Sequence, residues 1–290
     1  MQKDYVTIIE NHFTPEELGS LTKIIYSAYQ PLQLDVQVWE LIKKVLPPDV
    51  YYEIEPLKKS VVGHKIVNDL VLKYYPGECT IKYYFIKNYL NRKDEVSTFE
   101  MNVGASRLDI GRINGKSYAY EIKTELDSLD KLDKQIQDYS QVFEYIYVVV
   151  HTKHLPKVSE QVPEYCGIVS FRNVGGAWKF HPRRKANKNE NIDPVAQLNC
   201  LTSKELDQMM KLAGIKESLK GRETKEDILL NCLSTQKINH LFKTIIKKRF
   251  QKRWEHIERH FNLINPIDLQ MFFRTEADPY WVYYKNSSMV

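Results

Sequence analysis

The chain lacks any apolar run approaching the roughly 18 residues that a membrane span needs, so no membrane partner is expected. Cysteine is scarce. Cys79, Cys166, Cys200 and Cys232 stand far apart with no paired spacing, which argues against a disulfide framework or zinc knuckle and fits a reducing cytoplasm. The opening Met1-Gln2-Lys3-Asp4-Tyr5 lacks the basic-then-apolar pattern of a secretory signal. No Gly-rich phosphate loop, no Ser/His/Asp elbow, no internal repeat and no low-complexity tract is present. Charge of one sign is not dominant either: 42 Lys+Arg against 37 Asp+Glu gives +5, which permits nucleic-acid binding without demanding it. What is there is ordinary globular material. The 290 residues, 43% apolar and 27% charged, suffice for one large domain or for a core with flanking parts. The 19 tyrosines are unusual, and composition alone gives them no role.

Periodicity divides the chain. Residues 1–75 read as helical. Thr14-Pro15-Glu16-Glu17 is a helix start, followed at helical spacing by Leu18, Leu21, Ile24, Ile25 and Ala28. Asp35 is expected to cap a second helix, stopped by Pro47-Pro48. From about residue 76 the pattern changes to a helix over Glu78–Leu90 and strands over 96–103, 107–113 and 117–124, with Asn114-Gly115 as a hairpin signal. Asp127 or Ser128 is expected to start a helix with the apolar stripe Leu129, Leu132, Ile136, Tyr139 and Phe143. Tyr145–His151 reads as a central strand covered on both faces, and 166–172 with 177–181 as a further hairpin. Pro182–Pro194 reads as an exposed basic loop and 195–275 as helical, with Asn286–Val290 fraying. The expected class is α/β.

One stretch carries chemistry. Asp109 and, twelve residues on, Glu121-Ile122-Lys123 straddle the hairpin. A two-residue loop would put the two acids on opposite faces. A three-residue loop, Asn114-Gly115-Lys116, pairs Asp109 with Glu121, Gly111 with Ala119, and Ile110 with Tyr120. It segregates Leu108, Ile110, Tyr118, Tyr120 and Ile122 from Asp109, Gly111, Ala119, Glu121 and Lys123. A slip of one residue flips every side chain, so this clean segregation selects the three-residue register; a bulge near Asp109 would act alike. Two carboxylates then face each other across a strand pair, Cβ atoms roughly 5 Å apart. Such acids repel unless neutralised, and hard oxygen ligands suit Mg²⁺ or Mn²⁺. Lys123 shares their face, where an ammonium can orient or deprotonate a metal-bound water.

Asp109…Glu121-Ile122-Lys123 resembles the active-site signature of the PD-(D/E)XK nuclease superfamily, with Leu108 where the name has Pro. Gln135-Ile136-Gln137-Asp138-Tyr139 resembles the Gln-x-x-x-Tyr element of its exonuclease-like branch, and Tyr120 to Leu132 is similar to a little-characterised bacterial family within it. The resemblance implies a restriction-endonuclease-like core, a mixed sheet flanked by helices. It implies Asp109, Glu121 and the Ile122 carbonyl as metal ligands, Lys123 as catalytic lysine, and Gln135 and Tyr139 facing the site or the DNA. It also implies a further acid before the sheet, Glu78 first and Glu100 next. The expected organisation is a helical region 1–75 packing on the core, a nuclease core 76–182, a basic linker 183–194 and a helical region 195–290. Alternatives stand beside these roles: a solvated Glu-x-Lys pair, a surface Gln135, a Tyr139 in core packing with Leu132 and Ile136, and a Glu78 that serves its own helix start.

Weaker signals point to nucleic acid or a protein partner. Residues 201–229 look like a short SAP-type helix pair, but such pairs are common and a plain helical hairpin is the preferred reading. Lys243, Lys247, Lys248, Arg249, Lys252 and Arg253 precede any acid, but on a helical wheel they spread over several faces. Arg107 beside the signature and the Arg183-Arg184-Lys185 cluster are further basic candidates. His256-x-x-x-His260 has metal-ligand spacing without a third ligand. The expected function is a Mg²⁺- or Mn²⁺-dependent hydrolase of nucleic acid, DNA before RNA. The alternative is a catalytically silent nucleic-acid- or protein-binding module on the same fold.

Overall fold

Where apolar residues recur at steps of three and four, the N-terminal part of the chain is helical: α1 (Tyr5–Glu10), α2 (Pro15–Ala28), α3 (Asp35–Val45), α4 (Pro48–Ile54), α5 (Gly63–Tyr74) and α6 (Glu78–Ile86). The structure is a computed structural model that describes residues 4–216 and 221–285. It forms two units, one from Met1–Lys87 with His256–Val290, the other from Asn88–Glu255. The division falls at 87/88 and 255/256, not at 75/76 and 194/195. α6 therefore goes with the N-terminal helices, and the C-terminal helical stretch is shared between units.

In the first unit, α2 starts as its sequence dictates. Thr14 Oγ1 accepts the Glu17 N–H at 3.3 Å, and the Glu17 carboxylate accepts the Thr14 N–H at 2.8 Å. Pro15 takes the first helical position, where a missing N–H matters least. Asp35 is not the cap of α3. Leu34 holds that position, and the buried Asp35 carboxylate instead accepts the Gly63 N–H at 2.6 Å, tying the start of α3 to that of α5. The core holds Ile9, Ile25, Trp39, Ile42, Ile54, Ile66 and Leu70, all fully buried. Each such side chain contributes about 1.5–3 kcal/mol by leaving water. A polar knot lies in the same unit: Asp268 accepts hydrogen bonds from Tyr29 (3.0 Å), Tyr283 (2.5 Å) and Asn265, and the Tyr29 hydroxyl is 2.7 Å from His64 Nδ1.

The second unit is a mixed sheet of six strands in sequential order: β1 (Val96–Val103), β2 (Ser106–Ile113), β3 (Ser117–Lys123), β4 (Tyr145–His151), β5 (Gly167–Val174) and β6 (Ala177–Arg184). β1, β2 and β3 are antiparallel, β3–β4 and β4–β5 parallel, β5–β6 antiparallel. The two parallel steps require crossovers, supplied by α7 (Leu132–Ser140) and α8 (Leu155–Gln161). The class is thus α/β, a mixed sheet flanked by helices, with helical regions before and after it in sequence.

α7 begins later than Asp127 or Ser128. The Asp127 carboxylate accepts the Thr124 N–H (2.7 Å) and hydroxyl (2.6 Å), closing a turn after β3 instead of capping a helix. Its stripe Leu129, Leu132, Ile136, Tyr139 and Phe143 is buried as expected. β4 is covered unequally. Ile146, Val148 and Val150 are fully buried, whereas Tyr145, Tyr147 and His151 are half-buried on the other face. That face carries an aromatic ladder: Tyr118 stacks on Tyr145 and Tyr120 on Tyr147, and the Arg112 guanidinium lies 3.4 Å from the Tyr89 ring centre while bonding both Glu95 oxygens at 2.8 Å. Residues 183–194 are not simply an exposed linker: β6 runs to Arg184, and Ala186 and Asn189 are buried.

Helices α9 (Pro194–Asn199), α10 (Ser203–Ala213), α11 (Arg222–Cys232), α12 (Thr235–His260) and α13 (Leu269–Thr275) complete the chain. The SAP-like pair corresponds to α10 and α11; residues 217–220 of its loop lie outside the described residues, as do the terminal residues 286–290. Among the described residues no helix is long and apolar enough to cross a membrane.

Candidate functional site

The hairpin register is the three-residue one. Ile113 pairs with Ser117, Gly111 with Ala119 and Ile110 with Tyr120. Gly115 supplies the left-handed residue of the loop with φ 87°. Beyond Ile110–Tyr120 the ladder changes character. The Asp109 carboxylate, through Oδ2, takes the Ile122 N–H at 2.7 Å in place of a backbone carbonyl. Glu100 stands between Phe99↔Ile110 and Met101↔Leu108, opposite Asp109, with φ 56°. That left-handed residue breaks the pleat of β1, a distortion few side chains adopt without a compensating role. The Glu100 and Asp109 carboxylate oxygens lie within 4.8 Å of each other. Leu108 departs from the expected segregation: its Cδ2 is 3.4 Å from where a Gly111 Cβ would stand, so it lies on the Gly111 side and not with Ile110.

Glu121 is the centre of the site. It is 2% exposed. Lys123 Nζ donates to Glu121 Oε1 at 2.9 Å and to Gln135 Oε1 at 2.9 Å, and Gln135 Nε2 donates to the same Glu121 oxygen at 2.5 Å. The Tyr139 hydroxyl donates to Glu121 Oε2 at 2.8 Å and lies 3.0 Å from the Arg107 carbonyl. Burial and the adjacent Glu121 charge raise the Tyr139 phenol far above its ordinary pKa, so it stays a proton donor. Gln135 and Tyr139 meet Glu121 together because residues four apart share one face of α7. The structure therefore brings together Asp109, Glu121, Ile122, Lys123, Gln135 and Tyr139. Gln135 is half-buried and engaged, not a surface glutamine.

Several other candidates are held in ion pairs or hydrogen bonds of their own. Glu78 opens α6 in the first unit and is ion-paired with the fully buried Lys82. The exposed Arg107 pairs through Nε with Glu100 at 2.5 Å. Arg184 is a structural anchor, donating to the Cys166 carbonyl at 2.7 Å and the Pro163 carbonyl at 2.9 Å, whereas Arg183 reaches Ser170 Oγ at 2.7 Å. On α12, Lys243 pairs with Glu144 at 2.9 Å, Arg249 with Glu205 at 2.5 Å and Lys247 with Asp94 at 3.6 Å, while Lys248 and Lys252 are exposed. Half of the basic run of α12 is thus engaged within its own unit. In the first unit, the His256 and His260 rings adjoin with centres 4.4 Å apart.

Sequence reasoning missed Asp138. It is 5% exposed and accepts hydrogen bonds from Ser106 Oγ (2.7 Å) and Lys134 Nζ (2.6 Å), fastening α7 to the turn between β1 and β2. An acid beside the stripe residue Tyr139 was the only local signal.

Against known families, the model described as Bacteriophage P4 protein cII matches residues 78–272, which include every residue gathered around Glu121. The chain belongs to this family. Among relatives of the P4 cII family, protein cII of Enterobacteria phage P4 is 26% identical over 170 residues, covering 59% of this chain and 64% of that protein. The chain thus matches less than two thirds of that relative's length. Among solved structures, a protein of unknown function from Silicibacter pomeroyi aligns over 47% of this chain and 89% of its own, at 13% identity and a TM-score of 0.29, too low to carry weight.

Proposed function

We propose that this member of the P4 cII family is a metal-dependent phosphodiesterase of the PD-(D/E)XK type, hydrolysing nucleic acid, DNA before RNA, in the cytoplasm. The observation that carries the reading is the Glu121 cluster: a buried carboxylate held by Lys123, Gln135 and Tyr139, one strand from Asp109. A site of this density of buried charge is costly for a protein that does not use it.

The donor set fits Mg²⁺ or Mn²⁺. The carboxylate oxygens of Asp109 and, on the neighbouring strand, Glu100 lie within 4.8 Å of each other, and with Glu121 and the Ile122 carbonyl they would offer hard ligands. A carboxylate accepts about four hydrogen bonds, so the three donors on Glu121 do not exclude a shared oxygen. A bound divalent ion would supply an acidified water and neutralise phosphoryl oxygens. The chain's own residues do the rest. Lys123 holds an ammonium beside the acids, where it orients the attacking water and offsets charge developing on phosphorus oxygens. Gln135 and Tyr139 fix the Glu121 rotamer, and Asp109 is fixed by the Ile122 N–H.

A second reading has an observation of its own: Lys123 is already committed to Glu121 and Gln135, as in a closed structural network. A non-cutting nucleic-acid- or protein-binding module would look alike. Cleavage of single- and double-stranded DNA with Mg²⁺ or Mn²⁺ separates the two. We expect cleavage by the native chain, abolished by EDTA and reduced at least about 100-fold by Lys123→Ala, in line with the loss of one acid–base group. Equal cleavage by both proteins, or none by either, sinks the nuclease reading.

A further inference from the structure

Strand partners share a face of a sheet, so the register places the edge ribbon on the same side of the sheet as the site, although Val150 and Ser170 between them are fully buried. Lys123 pairs with Val150, Val150 with Ser170, and Ser170 with His181. This row crosses from β3 to the edge strand β6 in three strand spacings, roughly 14 Å at about 4.8 Å each. The next positions on that face of the β5–β6 ribbon are Arg172 and its direct partner Lys179, followed on β6 by His181, while Arg183 reaches back to Ser170 Oγ at 2.7 Å. Arg172, Lys179, His181 and Arg183 are all exposed. No acid occurs between Glu164 and Glu190, a stretch that holds Arg172, Lys179, Arg183, Arg184, Lys185 and Lys188. The opposite face of the ribbon is aromatic, with Phe171 beside Phe180 and Trp178, so the cations are sorted to the face of Glu121 and Lys123.

We propose that this cationic stripe is a nucleic-acid track, Arg172, Lys179, His181 and Arg183 contacting the phosphates of a strand whose scissile end lies at Glu121 and Lys123. The proposal rests on the reading above for the identity of the substrate, and on the charge complementarity of an exposed ribbon face that looks to the same side of the sheet as the site. Unpaired surface cations aligned on one face bind phosphate without reading sequence, and do so with a strong salt dependence. Lys243, Lys247 and Arg249 of α12, paired within the fold, are not the main contact.

The test is anisotropy of a labelled 20-nucleotide single strand with the full chain in EDTA, so that turnover plays no part. Arg172→Glu/Lys179→Glu is expected to weaken binding about tenfold or more and to lower the log K–log salt slope by about 1.4, two contacts at about 0.7 each. Arg172→Lys/Lys179→Arg, which keeps the charges, should bind like the native chain. Lys23→Glu/Lys59→Glu, an equal change of net charge at exposed sites of the first unit, should leave affinity within about twofold. Unchanged affinity and slope in the ribbon variant, or an equal loss in the first-unit variant, overturns the track. The two proposals fail separately. A native chain that binds through the ribbon and never cuts leaves the track standing without the nuclease; one that cuts while the ribbon variant binds normally does the reverse.

Discussion

At the scale of a single residue, Tyr139 shows that core packing and a site role are not alternatives. Its ring is fully buried in the Leu132 and Ile136 stripe, while its hydroxyl reaches Glu121 and the Arg107 carbonyl. Tyr139→Phe keeps the ring and removes only the donor, leaving a buried carboxylate oxygen one bond short. We expect a loss of about 1–3 kcal/mol in urea unfolding, the cost of an unsatisfied buried acceptor, with the ring's packing intact in near-UV circular dichroism. A change under about 0.3 kcal/mol would mean that the hydroxyl does not hold Glu121. In the nuclease reading the same variant cuts more slowly at unchanged DNA affinity, since the phenol positions an acid and does not touch phosphate.

At the scale of elements, legibility follows the strength of the local period. The β2–β3 register was readable because a strand's side-chain period is two and a slip mixes faces. α7 was readable from its stripe, whereas the meeting of Gln135 and Tyr139 with Glu121 was expected only through the resemblance to the Gln-x-x-x-Tyr element. α8 was not: its seven residues bury only Val158, too few apolar positions for a period. The aromatic ladder was hidden because alternation of Tyr with Ile and Val reads as one continuous apolar run. The turn linking β1 to β2 was equally silent, although it docks α7. Gly104 there has φ 58°, and a Cβ would stand 3.1 Å from Asp138 Cγ. Gly104→Ala should therefore carry two costs, about 1 kcal/mol or more for the left-handed backbone and a further cost for crowding Asp138. Removing the carboxylate relieves the second. A double-mutant cycle with Asp138→Ala is expected to show coupling above about 0.5 kcal/mol, and strict additivity would separate the turn from α7.

At the scale of the whole molecule, the division into units joins Met1–Lys87 to His256–Val290 across the sheet-bearing segment, and no local pattern announces a partnership so distant in sequence. Its chemical trace is the knot of Tyr29, His64, Asp268 and Tyr283. Burial pushes Asp268 up to about 7 from an ordinary 3.8, and burial pushes His64 down to about 4 from 6.5. The two oppose each other. The raised carboxyl favours folding fully below about pH 4, and that contribution is lost as pH rises through 7. The depressed imidazole favours folding fully above about 6.5, and that contribution is lost as pH falls through 4. Between pH 4 and 6.5 the native unit keeps Asp268's proton but lacks His64's, while the unfolded chain does the converse, so proton uptake nearly balances. Asp268→Asn removes one side of the balance and retains acceptors and donors for both tyrosines. Relative to the native chain, the variant should gain stability as pH rises from 4 to 7, at up to about 1.4 kcal/mol per pH unit. Native-state hydrogen exchange of the Ile66–Val71 amides in α5, whose side chains pack in the same unit, reads that difference locally. A difference that does not vary with pH would show that Asp268 is ionised in the folded unit throughout the range, with its charge balanced by the tyrosine hydroxyls and not by a retained proton.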